Sequence, residues 1–249
     1  MKHPPSNKTR GFTLIEILVV VAIIGFLAAL SIPAINATMK KAQAAQALSN
    51  MRQTGAAFGL YAADNNGLMP LMKTFWPQQP HGLEGIEPYL ETVNGRGTGK
   101  KLYVCPNRTI KANQAIMNAN GWLNYRTFGC NPNVMPSENL PEDRISLLSI
   151  ARPSQVIAII DTTQQADGIR SNDGLNGLLG NIHHTSAAMK TESMGDALIP
   201  TTGDSDPQPS QGFIRYRHPG EIAMALFCDW HAEPVKKGTI KNRNFATVY

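Results

Sequence analysis

Residues Lys8 to Glu16 read K-T-R-G-F-T-L-I-E, and an uncharged apolar run follows at once. A short basic leader with Lys2, Lys8 and Arg10 stops at Gly11. Phe12 then opens a segment with one acid, Glu16, and no further charge until Lys40. An ordinary secretory signal carries its small-residue cut after the apolar stretch. Here the small residue stands before it. A cut between Gly11 and Phe12 leaves the apolar helix on the mature chain, with a new amino terminus on Phe12. From Ile17 to Met39 there are 23 uncharged residues, and about 20 are enough to cross the hydrocarbon core. The basic residues ahead of the run favour the cytoplasmic side, which predicts a single span with residues 40–249 outside.

Glu16 is out of place in such a run, because an acid in a bilayer is costly and the cost falls toward the interface. One reading is an interfacial acid at a helix start, where the dipole favours it. The other is an ion pair with the amino terminus of Phe12 on a neighbouring subunit, since a buried charge is tolerated when matched. The residues alone leave the two even.

Pro33 breaks a backbone hydrogen bond, yet helical periodicity resumes after it. Ile35, Met39, Ala42, Ala45, Leu48, Met51, Gly55, Phe58 and Ala62 recur at steps of three and four, with Lys40, Lys41, Gln43, Gln46, Asn50, Arg52 and Gln53 on other faces. That is an amphipathic helix. Asp64-Asn65-Asn66-Gly67 is a strong stop signal. The predicted helix runs from Phe12 to Ala63, about 78 Å at 1.5 Å per residue.

The stretch Gly11-Phe12-Thr13-Leu14-Ile15-Glu16, with Pro33 beyond it, resembles the N-terminal segment of type IV pilins and type II secretion pseudopilins. The resemblance covers about the first quarter of the chain. It implies cleavage after Gly11 by a prepilin peptidase, N-methylation of Phe12, an assembly role for Glu16 and a helix kink at Pro33. It also favours the intersubunit reading of Glu16. The implied partners are the peptidase, other pilin-like subunits and the inner membrane.

The remainder reads as an extracytoplasmic head. Residues 64–249 are enough for one domain with its own core. Without three of its 23 basic residues the mature chain keeps 20 against 18 acids, a net charge of +2. No basic stripe with interleaved aromatics is present, so nucleic acid is not an expected partner. Gly (21) and Pro (17) are frequent, which predicts a loop-rich head.

Residues 101–105, 155–161, 212–217, 221–229 and 231–236 read as strands, the last two as a hairpin. Residues 85–92 read as a short helix. Residues 106–150 read as mostly irregular, and 162–211 as a polar, partly mobile insertion. The predicted fold is α+β: a pilin-like lollipop with a leader (1–11), a transmembrane and assembly helix (12–34), an amphipathic helix (35–63) and a small antiparallel sheet (within 64–249).

Three cysteines are present. Cys105 and Cys130 lie in loop-like settings and are the preferred disulfide pair in an oxidising compartment. Cys228 sits in an apolar strand and reads as a small buried residue. Arg217-His218-Pro219-Gly220 and the run Ala225 to His231 are similar to a C-terminal signature of pilin-like proteins of planctomycete-type bacteria: His, nine residues, Asp-Gly, often then His. Val104-Cys105-Pro106 and Asn124-Tyr125 also resemble that family. Here ten residues separate His218 from Asp229, and Trp230 stands where Gly is usual, so a bulge or different turn is expected.

His218, Asp229 and His231, with Asp161 as a further member, are weighed as metal ligands against a hydrogen-bonded cluster that pins the hairpin, and the latter is preferred for lack of ligand spacing. Adjacent His183 and His184 point apart in an extended chain. The loop with Asp204 and Asp206 offers hard oxygens for calcium. Some pseudopilins to which the chain is similar hold Ca²⁺ in a C-terminal loop. Asp64–Gly67 offers such oxygens too but is explained by a helix stop. No nucleophile elbow, phosphate loop or His-Glu-x-x-His occurs, and no enzyme, cofactor or resident metal is expected. The expected function is a structural, filament-forming subunit of a type II secretion or type IV pilus-like system. The alternative is a membrane-tethered binding module that does not polymerise. A third, an enzyme on a pilin-like anchor, would require Asp161, His218 and Asp229 to converge.

Overall fold

The computed structural model describes residues 13–71, 86, 88–90, 105–107, 127–136, 144–163, 195–206 and 213–247. They fall into two compact units, residues 1–40 and 41–249.

Helix α1 spans Leu14–Asp64, 51 residues, close to the predicted range. It continues through Pro33, so the proline does not end it. In the first unit every described residue is exposed, including Leu14, Leu18, Ile24, Phe26 and Leu30. Within α1 here, Ser31 and Thr38 turn inward on their own backbone: Ser31 Oγ donates to Leu27 O (2.7 Å) and Thr38 Oγ1 to Ala34 O (2.9 Å). That is the usual fate of Ser and Thr inside a helix.

In the second unit the helix buries Ala47, Asn50, Met51, Thr54, Gly55, Ala57, Phe58, Tyr61 and Ala62. Met51, Gly55, Phe58 and Ala62 lie on the predicted stripe, whereas Ala42 and Ala45 are exposed and Asn50, placed on another face, is buried. It ends as Asp64-Asn65-Asn66-Gly67 predicts. Asn66 and Gly67 take positive φ (54° and 76°), and Gly67 N–H reaches back to Ala62 O at 2.7 Å, a glycine-terminated cap.

Four strands follow: β1 (Phe128–Cys130), β2 (Ile157–Asp161), β3 (Ile222–Phe227) and β4 (Ala232–Lys236). They form one antiparallel sheet in sequence order. The α+β class is therefore as predicted. β2, β3 and β4 match predicted strands. β1 lies within the stretch read as irregular. It is a three-residue edge strand whose burial is continuous, so it offers no alternation to read.

The sheet is covered on both faces. β3 alternates cleanly. Met224 and Leu226 join the cluster containing Met51 and Phe58, while Ala223, Ala225 and Phe227 join one with Ile199, Ile214, Tyr216, Ile240 and Phe245. β2 breaks the alternation. Ala158 and Ile159 both belong to the first cluster, where the register shifts between Ile157 and Ile159, as a bulge does.

Several expectations are corrected. Residues 213–217 form no strand; Ile214 makes one isolated bridge to Thr162. The reason is that Tyr216 N–H is taken by the Asp204 carboxylate (3.0 Å) rather than by a ladder carbonyl. Within the 162–211 insertion, Ile199 is buried, and its N–H bonds Ile240 O at 2.9 Å. The Cys105–Cys130 disulfide is not formed; all three cysteines are buried thiols. The Cys105 sulfur is instead turned toward His218. Residues 88–90 are helical within the predicted 85–92. Residues 101–104, Asn124-Tyr125, His183-His184 and most of the insertion lie outside the described residues.

The β3–β4 hairpin resolves the Trp230 question. Trp230 N–H closes a turn on Phe227 O (3.0 Å), and Phe227 N–H bonds His231 O (2.9 Å). Trp230 itself is left-handed, φ 71°. That is the position at which a three-residue hairpin loop favours glycine. Trp230 offsets the strain by packing: its ring stacks on Phe58 (5.7 Å, 16°). Gly55 makes room for it, because a Cβ there would lie 2.9 Å from Trp230 O and 2.7 Å from Leu226 Cδ1.

Candidate functional site

Two places carry polar groups that ordinary folding does not require. The first is the start of α1. Glu16 Oε2 accepts hydrogen bonds from Thr13 N–H and Thr13 Oγ1, both 2.8 Å, and Glu16 N–H bonds Thr13 Oγ1 at 3.3 Å. This is a reciprocal capping box. The Thr-x-x-Glu spacing was visible in the sequence and its role as a cap was missed. Glu16 is the single acid on a stretch whose apolar side chains all face outward. Gly11 and Phe12, the predicted cleavage and methylation residues, lie outside the described residues.

The second place is in the head. The predicted C-terminal cluster separates. Asp229 and His231 pair with each other through Oδ1 and Nδ1, partly exposed, with the His231 ring stacked on Phe227 at 4.3 Å. His218 is buried elsewhere. Its Nε2 lies 3.0 Å from Asp161 Oδ2 and 3.6 Å from Cys105 Sγ, and its Nδ1 lies 2.9 Å from the Asn107 amide nitrogen. Asp161 ends β2, and its Oδ2 also accepts from Met224 N–H at 2.7 Å. The convergence of Asp161, His218 and Asp229 needed for an enzyme reading does not occur.

Asp204 and Asp206, weighed as a calcium loop, are held by the chain's own cations. Asp204 meets Lys237 and Arg215, each at 2.8 Å. Asp206 meets Arg215 (3.1 Å) and Arg217 (3.3 Å). Arg217 also faces Asp161 Oδ1 at 3.5 Å and donates to Thr162 O. Burial pushes the Asp204 carboxyl up, but hydrogen bonds from Lys237, Arg215 and Tyr216 N–H outweigh it and hold the carboxyl below its usual range. Burial, helped by Asp204, pushes the Tyr216 hydroxyl up to about 12. Burial likewise raises the Cys228 thiol, as expected for an inert, packed cysteine. Sequence reading missed these partners because they are charges from separate loops, with no periodic pattern to link them.

An outward-facing apolar helix opened by a capped acid, followed by an α+β head, defines the class of pilin-like structural subunits, anchored in a membrane by the N-terminal helix. Residues 6–32 match the family model for the prokaryotic N-terminal methylation motif. The chain is 33% identical over 107 residues to the type II secretion system core protein G of Escherichia coli, covering 41% of this chain and 68% of that protein. It is 35% identical over 106 residues to the protein of that name in Pseudomonas aeruginosa, covering 40% and 69%. Over 40 residues it is 58% identical to the type IV major fimbrial protein FimA of Dichelobacter nodosus, 16% of this chain and 25% of that protein. The chain belongs to the family of the type II secretion system core protein G. No solved structure matches it significantly. The motif match ends at residue 32 and does not bear on the C-terminal signature.

Proposed function

We propose that this chain is a pseudopilin-type subunit of a type II secretion or type IV pilus-like system. A prepilin peptidase cuts it after Gly11, Phe12 is N-methylated, and Glu16 guides its insertion among other pilin-like subunits. In the membrane its N-terminus is cytoplasmic and the head lies in the periplasm or at the cell surface. Pro33 bends the helix, and no catalysis is assigned to the head.

One observation carries this reading: the first 26 residues of α1, 14–39, expose apolar side chains all round, with Glu16 as their single charge. So large an exposed apolar surface needs lipid or other subunits around it. A plain tether needs no acid, whereas an assembling helix gains register from one, because a carboxylate meeting an ammonium in a dry interface is tolerated only when matched. Release of Glu16 from Thr13 to a neighbour's amino terminus exchanges hydrogen bonds for an ion pair. N-terminal sequencing and intact mass of the protein from native membranes test the processing; a chain starting at methylated Phe12 is expected. A chain that starts at Met1 sinks the reading. A processed chain that yields no cross-linked multimers makes it a tethered module.

A further inference from the structure

The geometry points to a zinc site in the head, formed by Cys105 Sγ, His218 Nε2 and Asp161 Oδ2. This lies beyond the filament role and is independent of it. The three donor atoms lie within 4.8 Å of one another, and all three residues are buried. Zinc bonds to sulfur, nitrogen and oxygen of about 2.3, 2.0 and 2.0 Å at tetrahedral angles put donors about 3.3–3.6 Å apart. The sulfur–nitrogen separation is 3.6 Å and the nitrogen–oxygen separation 3.0 Å, so small rotations suffice. Thiolate with imidazole and carboxylate is a set suited to zinc. Three protein ligands leave a fourth position for a solvent ligand.

The surroundings fit such a site. A histidine that binds metal uses its second ring nitrogen to hold its orientation. Asn107 is two residues after Cys105, in the same turn, and its amide lies 2.9 Å from His218 Nδ1. The amide nitrogen faces Nδ1 as a donor, which puts the ring proton on Nε2, facing Asp161. On loading, the proton leaves Nε2 for Nδ1, and the amide turns so that its oxygen accepts from Nδ1–H. The Cys105 S–H bond breaks, the sulfur–zinc bond forms, and the thiol proton passes to the buffer. The charges also close: the thiolate and the Asp161 carboxylate balance the dication, while Arg217 retains Asp206 as its partner at 3.3 Å. The ion would tie the Cys105 turn to the end of β2 and to the strand-free segment carrying His218.

The test uses the untagged full chain in detergent, stripped with a chelator and then dialysed against zinc chloride. Elemental analysis is expected to find about one zinc per chain. Cobalt in place of zinc should give the near-ultraviolet absorption of a thiolate–cobalt bond. Cys105→Ser loses that band, His231→Ala keeps it, and Asn107→Ala weakens zinc binding by about 10–100-fold. No retained zinc in the unmodified chain overturns the proposal without recourse to any variant, whatever the folding of Cys105→Ser. A band that survives in a folded Cys105→Ser chain, or vanishes in His231→Ala, overturns it as well.

Discussion

The two halves of one helix obey different rules. Residues 14–39 bury nothing, whereas beyond Lys40 the same helix buries Ala47, Met51, Gly55, Phe58 and Tyr61 against the sheet. The first half is rich in β-branched Ile and Val and the second in Ala, Gln and Lys, yet both are helical, so local propensity does not set the difference in burial. What differs is the source of stability. The second half is held by its own head; the first, among the described residues, is exposed throughout. Substitutions in the first half should therefore change association and leave the fold of the head alone, and substitutions in the second should do the reverse.

Glu16→Ala should break this comparison most visibly if it is wrong. Loss of one partner from a desolvated ion pair costs about 3–5 kcal/mol, a hundredfold or more per contact. Cross-linked multimers in membranes should all but vanish while the thermal midpoint of the head stays put; a lowered midpoint would mean that the halves are not independent. Phe58→Ala should do the opposite. The side chain is fully buried, and truncation should cost about 3–5 kcal/mol, read by denaturant unfolding.

Gly55→Ala sharpens the same boundary. The added methyl meets a backbone oxygen that cannot swing aside, so overpacking of about 1–3 kcal/mol is expected. Gly25→Ala, where a Cβ meets nothing within 4 Å, should leave head stability unchanged.

In the head, acid should act through Asp204. The Asp204 carboxyl is held below its unfolded value, so its contribution is complete above the unfolded pKa near 3.8 and is lost as pH falls through the lower folded value. Melting curves between pH 6 and about 2 should show this loss, and Asp204→Asn should flatten it. The smallest effect is expected from Trp230→Gly. Relief of a left-handed residue gains about 1–2 kcal/mol, and loss of the Phe58 stack and its buried area costs slightly more. A net loss of about 1 kcal/mol or less should appear on unfolding; a net gain would show that the stack contributes little.

The sequence made some of this visible and hid the rest for identifiable reasons. The helix was legible from end to end, since its apolar run, its stripe and the Asn66-Gly67 stop are all local patterns. β2, β3 and β4 were legible because their apolar residues run or alternate. β1 is too short to show a period. The segment from Phe213 to Arg217 has a strand's composition, yet its backbone and its arginines are claimed by Asp161, Asp204 and Asp206. The head's polar cluster was misassigned for a related reason. His218 was grouped with Asp229 and His231 through the C-terminal signature, with Asp161 as a further member. Of these Asp161 is its partner, 57 residues away, joined by Cys105 and Asn107, 113 and 111 residues away. Only the sheet brings these together.

The hydroxyls of Ser31 and Thr38 have a last consequence. Each is spent on a carbonyl of its own helix, so around Pro33 neither side chain asks anything of its neighbours. Hydrocarbon tails and the flanks of other helices are then nearly interchangeable solvents for this stretch. On the proposed filament role, movement between them would be a reversible partition with a shallow slope, and its direction would fall to the acid at the tip, Glu16.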